Sequence, residues 1–222
     1  MKFSDVLAST IHDIKNSMGM IINTLEELTS DPDNGLAENP EATALQLEAR
    51  RVNNGFIKLL TLYKLDEKKL SLNVAEQNLE EFLDDILAEH RNLAQIHGIQ
   101  IDCECAPELM GYFDEDLVRG VVNNALDNAQ RYTKDRLLLK AEPEADWLVI
   151  RVEDNGQGFP AAMLDMQTSQ EPSEGFKVGN TQLGLYFSTQ IARLHQNRER
   201  SGFIRLENAR ELGGGCFSIW LP

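Results

Sequence analysis

Two interleaved apolar repeats in residues 4–30 constrain this chain more than any other feature. Leu7, Ile14, Ile21 and Leu28 recur every seven residues, and Ile11, Met18 and Leu25 fill the set between them. That spacing is the a/d seam of a helix that packs against other helices. Asp31-Pro-Asp-Asn-Gly35 and Glu38-Asn-Pro40 break the pattern, which predicts a loop of about ten residues. A second helix is expected over residues 41–70. It carries a seam of its own, with Leu45, Val52 and Leu59 in one set and Ala49, Phe56 and Tyr63 in the other. Two such helices form an antiparallel hairpin. A lone hairpin cannot bury two seams, so a dimer forming a four-helix bundle is expected.

The texture changes after Leu70. A strand-like segment, Leu70–Val74, precedes a helix over 78–96 and a strand, Ile99–Cys105. A helix over 114–132 follows, then strands Arg136–Ala141 and Trp147–Glu153. Residues 155–180 read as a mobile loop, Leu183–Leu194 as a helix, and Phe203–Leu206 with Phe217–Leu221 as a hairpin turned at Gly213-Gly-Gly215. Strands mixed with helices predict a two-layer α/β sandwich. The fold class is α+β, with an N-terminal helical hairpin over 1–70 and the sandwich over 71–222.

Charge and cysteine content narrow the function classes. With 21 Lys and Arg against 36 Asp and Glu, the net charge is −15, which argues against nucleic acid as the main ligand. Lacking a long apolar run or a leader pattern, the chain has no membrane segment and is expected to be cytoplasmic, either complete or the cytosolic part of a longer sensor. Cys103 and Cys105 continue the alternation of Ile99 and Ile101, so they are expected on one buried strand face as reduced thiols.

Four short segments carry chemistry. Ser9-Thr-Ile-His-Asp-Ile-Lys-Asn16 places His12 directly after the seam residue Ile11, on the flank of the helix, where solvent and a partner reach an imidazole. A plain surface histidine remains the alternative. Asn124 and Asn128 are four apart on a helix and share one face. Their amide oxygens suit Mg²⁺ bound to phosphates, and Arg131 stands ready for phosphate charge. Asp154-Asn-Gly-Gln-Gly-Phe159 follows a strand. An aspartate there can accept from the exocyclic amine of adenine, while Gly156 and Gly158 let the backbone approach the ring. Gly179-Asn-Thr-Gln-Leu-Gly-Leu185 opens a helix whose free N–H groups can receive phosphate oxygens.

In order and spacing, these segments resemble the catalytic core of two-component sensor histidine kinases, over essentially the whole chain. His12–Asn16 is similar to the H box, Asn124–Tyr132 to the N box, Asp154–Gly158 to the G1 box, Gly179–Leu185 to the G2 box, and Gly213–Phe217 to the final glycine-rich turn. The resemblance implies a dimerisation and phosphoacceptor hairpin followed by an ATP-binding domain of the gyrase and Hsp90 superfamily. It implies ATP and Mg²⁺ as cofactors, with Asn128 holding the metal supported by Asn124. Asp154 reads adenine, and Arg131 and Tyr132 line the nucleotide beside Gly156, Gly158, Thr181, Leu183 and Gly184. Residues 159–180 form the ATP lid.

One departure stands out. Asn180 and Gln182 occupy positions where the family has glycine, and they either crowd the phosphates or donate hydrogen bonds to them. The implied reaction moves the γ-phosphoryl group of ATP to His12, with Asp13 accepting a hydrogen bond from the other ring nitrogen. The group then moves to an aspartate of a response-regulator receiver. Asn16, one turn on, implies a phosphatase activity toward that receiver. Two other readings stay open: a non-catalytic histidine phosphotransfer protein with a degenerate nucleotide pocket, and a regulatory dimeric interaction protein.

Overall fold

The heptad pattern resolves into two long helices, followed by a mixed sheet with helices on one face. The computed structural model describes residues 3–30, 39–165 and 180–222. The chain separates into two units, Met1–Ser71 and Leu72–Pro222.

In the first unit α1 (Phe3–Ser30) packs along α2 (Pro40–Asp66). Most of the loop expected over 31–40 lies outside the described residues. Asn39 caps α2 by accepting from Glu41 N–H at 2.8 Å and Ala42 N–H at 3.3 Å, with Pro40 in the first turn where no donor is needed. The helix ends at Asp66, short of the expected residue 70. Lys68 turns into left-handed backbone at φ 55°, and Lys69 N–H folds back to the Lys64 carbonyl at 2.8 Å.

The two seams have different fates. Ile11 and Ala49 are buried, and Met18, Leu25, Phe56 and Tyr63 are half-buried, so this set closes the hairpin. Ile14, Ile21 and Leu28 on α1, and Leu45, Val52 and Leu59 on α2, are all exposed, Ile21 at 48% and Leu45 at 57%. An aliphatic side chain gains roughly 1.5–3 kcal/mol on full burial, so this second stripe is a large unused source of binding energy.

The second unit runs β1 (Ala75–Asn78), α3 (Leu79–Ile96), β2 (Gln100–Cys105), β3 (Met110–Phe113), α4 (Glu115–Tyr132), β4 (Arg136–Glu144) and β5 (Trp147–Asp154). It continues through α5 (Ala161–Asp165), α6 (Asn180–Leu194), β6 (Gln196–Asn197), β7 (Arg200–Ser201), β8 (Phe203–Asn208) and β9 (Gly215–Leu221). Five strands form one sheet in the order β2-β4-β5-β9-β8, parallel only between β2 and β4. Leu137, Leu139, Ile150, Val152, Phe217 and Ile219 bury one face of it beneath α3, α4 and α6. On the other face the fully buried Arg151 pairs with Glu142 and Glu144 and lies 5.6 Å over the Trp220 ring.

Two expectations are corrected here. Leu70–Val74 forms no strand; the strand begins at Ala75 and pairs antiparallel with β3, Ala75 opposite Phe113. Asn73 N–H, just before it, is held by Asp114 Oδ2 at 2.8 Å. The thiol face is also less covered than the alternation suggested. Because β2 is an edge strand, Ile101 and Cys105 are half-buried and Cys103 is exposed. Cys216 is buried, and all three cysteines are free.

A buried histidine ties α6 to α4. His195 Nδ1–H donates to the Ile191 carbonyl at 2.9 Å, and Nε2 accepts from Asp114 N–H at 3.0 Å. Asp114 in turn caps α4 through Leu117 N–H. Both ring nitrogens are committed in the neutral form, and burial lowers the His195 pKa below its ordinary value, only partly offset by the Ile191 carbonyl and the Asp114 charge. The unfolded imidazole titrates near ~6.5, so the unfolded chain takes up a proton that the folded chain refuses. Stability from this site is complete above that value and falls as the pH drops from it toward the lowered folded value. Melting temperatures at pH 7.5 and 5.5 are expected to differ more in the native chain than in His195→Gln. Equal differences would remove His195 as the cause.

Candidate functional site

The site in the second unit is built around Asp154, the last residue of β5. The residue is 7% exposed. Oδ1 accepts from Gly156 N–H at 2.7 Å and Gly215 N–H at 3.2 Å, and Gly214 N–H donates to the Asp154 carbonyl at 3.0 Å. One carboxylate oxygen is therefore saturated by turn amides. Oδ2 has no hydrogen-bond partner among the described residues and remains able to accept one.

Glycines let the surrounding segments approach. A β-carbon on Gly156 would lie 2.1 Å from the Tyr132 carbonyl oxygen, and one on Gly214 2.5 Å from Asp154 Oδ1. Gly158 takes φ 78°, and its Cα sits against the Asn208 amide. The same amide clamps the next residue, accepting from Phe159 N–H at 2.8 Å and donating to its carbonyl at 2.9 Å. A second asparagine locks the other side: the backbone amides of Lys134, Asp135 and Arg136 all point at Asn155 Oδ1 from 3.1–3.2 Å, and Asn155 Nδ2 donates to Asp135 at 2.7 Å. The end of α4 and the start of β4 are thereby fixed against the turn that follows Asp154.

On α4, Asn124 is buried and donates to Ser188 Oγ of α6 at 3.4 Å. A β-carbon on Gly184 would come 2.4 Å from its Oδ1, so this pair sets how closely α6 approaches α4. Asn128 is half-buried one turn further on, and Arg131 and Tyr132 are exposed in the last turn. Leu183 is half-buried. Thr181 lies in the first turn of α6, but its side chain, like those of Asn180 and Gln182, lies outside the described residues, as do Gly179 and residues 166–178 of the lid. The structure thus joins the segment of Asn124–Tyr132 to both glycine segments, through Tyr132 with Gly156 and Asn124 with Gly184.

Sequence reasoning missed Asn155 and Asn208. Asn155 stood in a turn-forming Asp-Asn-Gly run, which flags a side chain bonded to nearby backbone. Asn208 offered no such signal, since its partner is 49 residues away. Elsewhere, an open cleft of about 660 Å³ lined by Asp146, Asn197, Arg198, Glu199, Arg200 and Pro222 lies toward the opposite end of β5 and holds an Arg200–Asp146 pair at 2.7 Å. It brings together none of the residues around Asp154.

In the first unit the His12 side chain is 58% exposed on α1. Asn16 Nδ2 stands 3.3 Å from His12 Nδ1, whereas Asp13 Oδ1 is 3.8 Å away. The residue at hydrogen-bond distance is thus Asn16, in place of the expected Asp13, because positions four apart on a helix are neighbours and adjacent ones are not.

Residues 113–222 match the family model described as histidine kinase-, DNA gyrase B- and HSP90-like ATPase. The sensor protein kinase PilS of Pseudomonas aeruginosa is 27% identical over 219 residues, 96% of this chain and 39% of that protein. Sensor protein SrrB of Staphylococcus aureus is 25% identical over 98% of this chain and 38% of its own length. The chain therefore spans well under half of the curated relatives it matches. Among solved structures, the histidine kinase AdeS of Acinetobacter baumannii superposes with a TM-score of 0.61 at 18% identity, over 90% of this chain and 93% of that one. The cytoplasmic segment of the histidine kinase QseC gives a TM-score of 0.53 at 22% identity, over 76% of this chain and 94% of that one.

Residues 113–222 are thus a domain of the histidine kinase-, DNA gyrase B- and HSP90-like ATPase family. With the helical hairpin before it, the chain is similar along nearly its whole length to the corresponding part of sensor histidine kinases.

Proposed function

We propose that the chain transfers the γ-phosphoryl group of ATP to His12 and then to an aspartate of a receiver protein. The observation that carries this reading is Asp154, with one oxygen saturated by Gly156 and Gly215 and the other left for a donor inside a glycine cradle. Adenine offers an amine there and guanine a carbonyl. The donor set fits a magnesium nucleotide. Asn128 supplies an amide oxygen near the end of α4 with Arg131 one turn on, and Asn124, engaged with Ser188 and Gly184, supports them. Asn128 would hold Mg²⁺ together with the phosphates, and the ion would supply neutralisation of their charge during transfer.

At His12 the reacting ring nitrogen is Nε2. The orientation of the Asn16 amide is interchangeable at these distances. Turned with Oδ1 toward the ring, it accepts Nδ1–H and leaves the Nε2 lone pair facing outward. Nε2 attacks the γ-phosphorus in line, the bond to the ADP oxygen breaks, and the phosphoryl group rests on the imidazole. Asp13, 3.8 Å from Nδ1, stabilises the cation that forms there. Asn16, whose amide also suits holding a water, extends the proposal to hydrolysis of the receiver's phospho-aspartate. Residues 1–70 form the homodimer interface through the exposed stripe on α1 and α2. No described helix is long and apolar enough to cross a membrane.

The test is incubation with γ-labelled ATP and Mg²⁺. Acid-labile, base-stable label on the protein is expected. A chain that takes up no label and binds no nucleotide would instead be a phosphotransfer or interaction protein. The dimer has its own test. Ile21 is exposed in the middle of the unpaired stripe, and in a two-fold dimer each substitution enters the interface twice. Ile21→Glu is expected to weaken self-association about a hundredfold or more by analytical ultracentrifugation. An unchanged monomer–dimer equilibrium would place the interface elsewhere.

A further inference from the structure

Adjacent to Asp154, on the opposite face of β5, is a carboxyl group that the reaction does not use. Glu153 is 2% exposed and stands in register with Cys216 of β9. Its Oε2 accepts from Glu211 N–H at 3.1 Å, while Oε1 is buried with no hydrogen-bond partner among the described residues. Burial, and then the nearby Glu153 carboxylate, push the Cys216 thiol up to about 12. Burying a carboxyl group half-satisfied costs stability, and an apolar side chain would fill the same place at lower cost. The one bond that Glu153 makes is therefore the reason to look at what it holds.

It holds the turn between β8 and β9. Ala209 enters that turn at φ 61° and bonds across it to the Gly214 carbonyl at 2.9 Å. Gly213 N–H closes on the Arg210 carbonyl at 3.2 Å. On one side of the sheet the turn ends in Gly214 and Gly215, whose amides grip the Asp154 carbonyl and Oδ1. On the other side its middle is strapped at Glu211, by Glu153 through the backbone and by Lys140 Nζ through the side chain at 3.0 Å. Consecutive residues of one strand thus clamp one turn from both faces.

We propose that Glu153 is a positioning residue for base recognition: by holding the Glu211 amide it fixes the turn 209–215, whose Gly215 amide, with that of Gly156, sets the orientation of the Asp154 carboxylate. This inference rests on the nucleotide-site reading given above. The Lys140–Glu211 pair is exposed on the Glu211 side and adds little alone, so the buried Glu153 bond dominates. Oδ2 faces the base only while Oδ1 is held by Gly156 and Gly215. With Glu211 released, the Gly215 bond, the longer of the two at 3.2 Å, is lost first.

The full chain, with Mg²⁺ present, separates this role from a merely structural one when ATP is compared with inosine triphosphate, which carries a carbonyl in place of the adenine amine. Competition against a fluorescent nucleotide reads both affinities. Glu153→Leu, which removes the acceptor, is expected to weaken ATP about tenfold while leaving inosine triphosphate unchanged. Glu153→Gln keeps an oxygen for Glu211 N–H and is expected to retain the native preference. Should the leucine variant not fold, Glu153→Ser, too short to reach the amide, takes its place. An unchanged ATP preference in the leucine or serine variant overturns the proposal, as does an equal loss for both nucleotides. A glutamine variant as impaired as leucine overturns it too, by assigning the effect to charge. A native chain that binds neither nucleotide sinks the underlying site reading, which is a distinct result.

Discussion

A His12→Gln chain is expected to take up no γ-phosphoryl label, at least ~10³-fold less than the native chain, while binding ATP with unchanged affinity. Glutamine preserves the size and polarity of a side chain that is more than half exposed on α1, so neither the helix nor its packing should change. What it lacks is a nucleophile, since the lone pair of an amide nitrogen is delocalised into the carbonyl. The nucleotide is held by residues of the ATPase domain, 113–222, and nothing there is altered. Label on the His12→Gln chain would move the phosphoacceptor to another residue. Equal loss of label and of nucleotide binding would mean that the variant had been damaged in some other way.

The labelling assay, repeated on Asn16→Ala and Asp13→Asn chains at low and high salt, separates the proposed roles of the two residues beside the imidazole. Asn16 lies at hydrogen-bond distance and Asp13 does not, so in the proposed mechanism Asn16 sets which ring nitrogen faces outward and Asp13 acts only through its charge. Fixing the tautomer is a matter of geometry and is insensitive to salt. An exposed ion pair such as His12–Asp13 is weak and weakens further as salt is added. The proposed division of labour thus makes the reaction depend on Asn16 at any ionic strength and on Asp13 chiefly at low salt.

The parts of this fold legible in the sequence are those set by local periodicity. Both long helices followed from their heptads, and the β8–β9 hairpin from its glycine turn. Which of the two stripes closes the hairpin was not legible. Ile11 and Ile14 are equally apolar, and only the pairing of α1 with α2 leaves the first buried and the second exposed. The end of α2 was hidden because Lys68 adopts positive φ with no glycine or proline to mark it. Strand β1 was displaced from its expected position because its partner, Met110–Phe113, is four residues long and gave no pattern of its own. The thiol face was misjudged because alternation tells which residues share a face and says nothing about whether the strand is at an edge.

At the candidate site, residue types were legible and their partners were not. Asp154 and the glycines stood out, but the pairing of Asp154 with Gly214 and Gly215 spans some 60 residues and depends on β9 lying beside β5. Asn208 and Glu153 carried no local signal at all, because each acts on backbone far away in sequence.

Asp154→Asn is the substitution expected to separate the shape of the site from its chemistry. The amide is isosteric with the carboxylate and presents one acceptor and one donor in place of two acceptors. Two hydrogen-bond demands converge on this side chain. Gly156 and Gly215 both point N–H groups at one oxygen, at 2.7 and 3.2 Å, and the adenine amine requires an acceptor on the other. With the amide oxygen toward the glycines, its NH₂ group meets the amine of the base, donor against donor. Turned over, the NH₂ group meets two backbone N–H groups and the turn is pushed open. Neither orientation serves both sides, and a buried site that cannot satisfy a ligand's hydrogen bond rejects it strongly. ATP affinity is therefore expected to fall about a hundredfold or more. The circular dichroism of the sheet should stay native, because the first orientation keeps the two turn bonds intact. Inosine triphosphate offers that NH₂ group a carbonyl to meet, so it should lose far less or gain. If Asp154→Asn bound ATP as the native chain does, adenine would be read by another group, and Asp154 would be left with the turn alone.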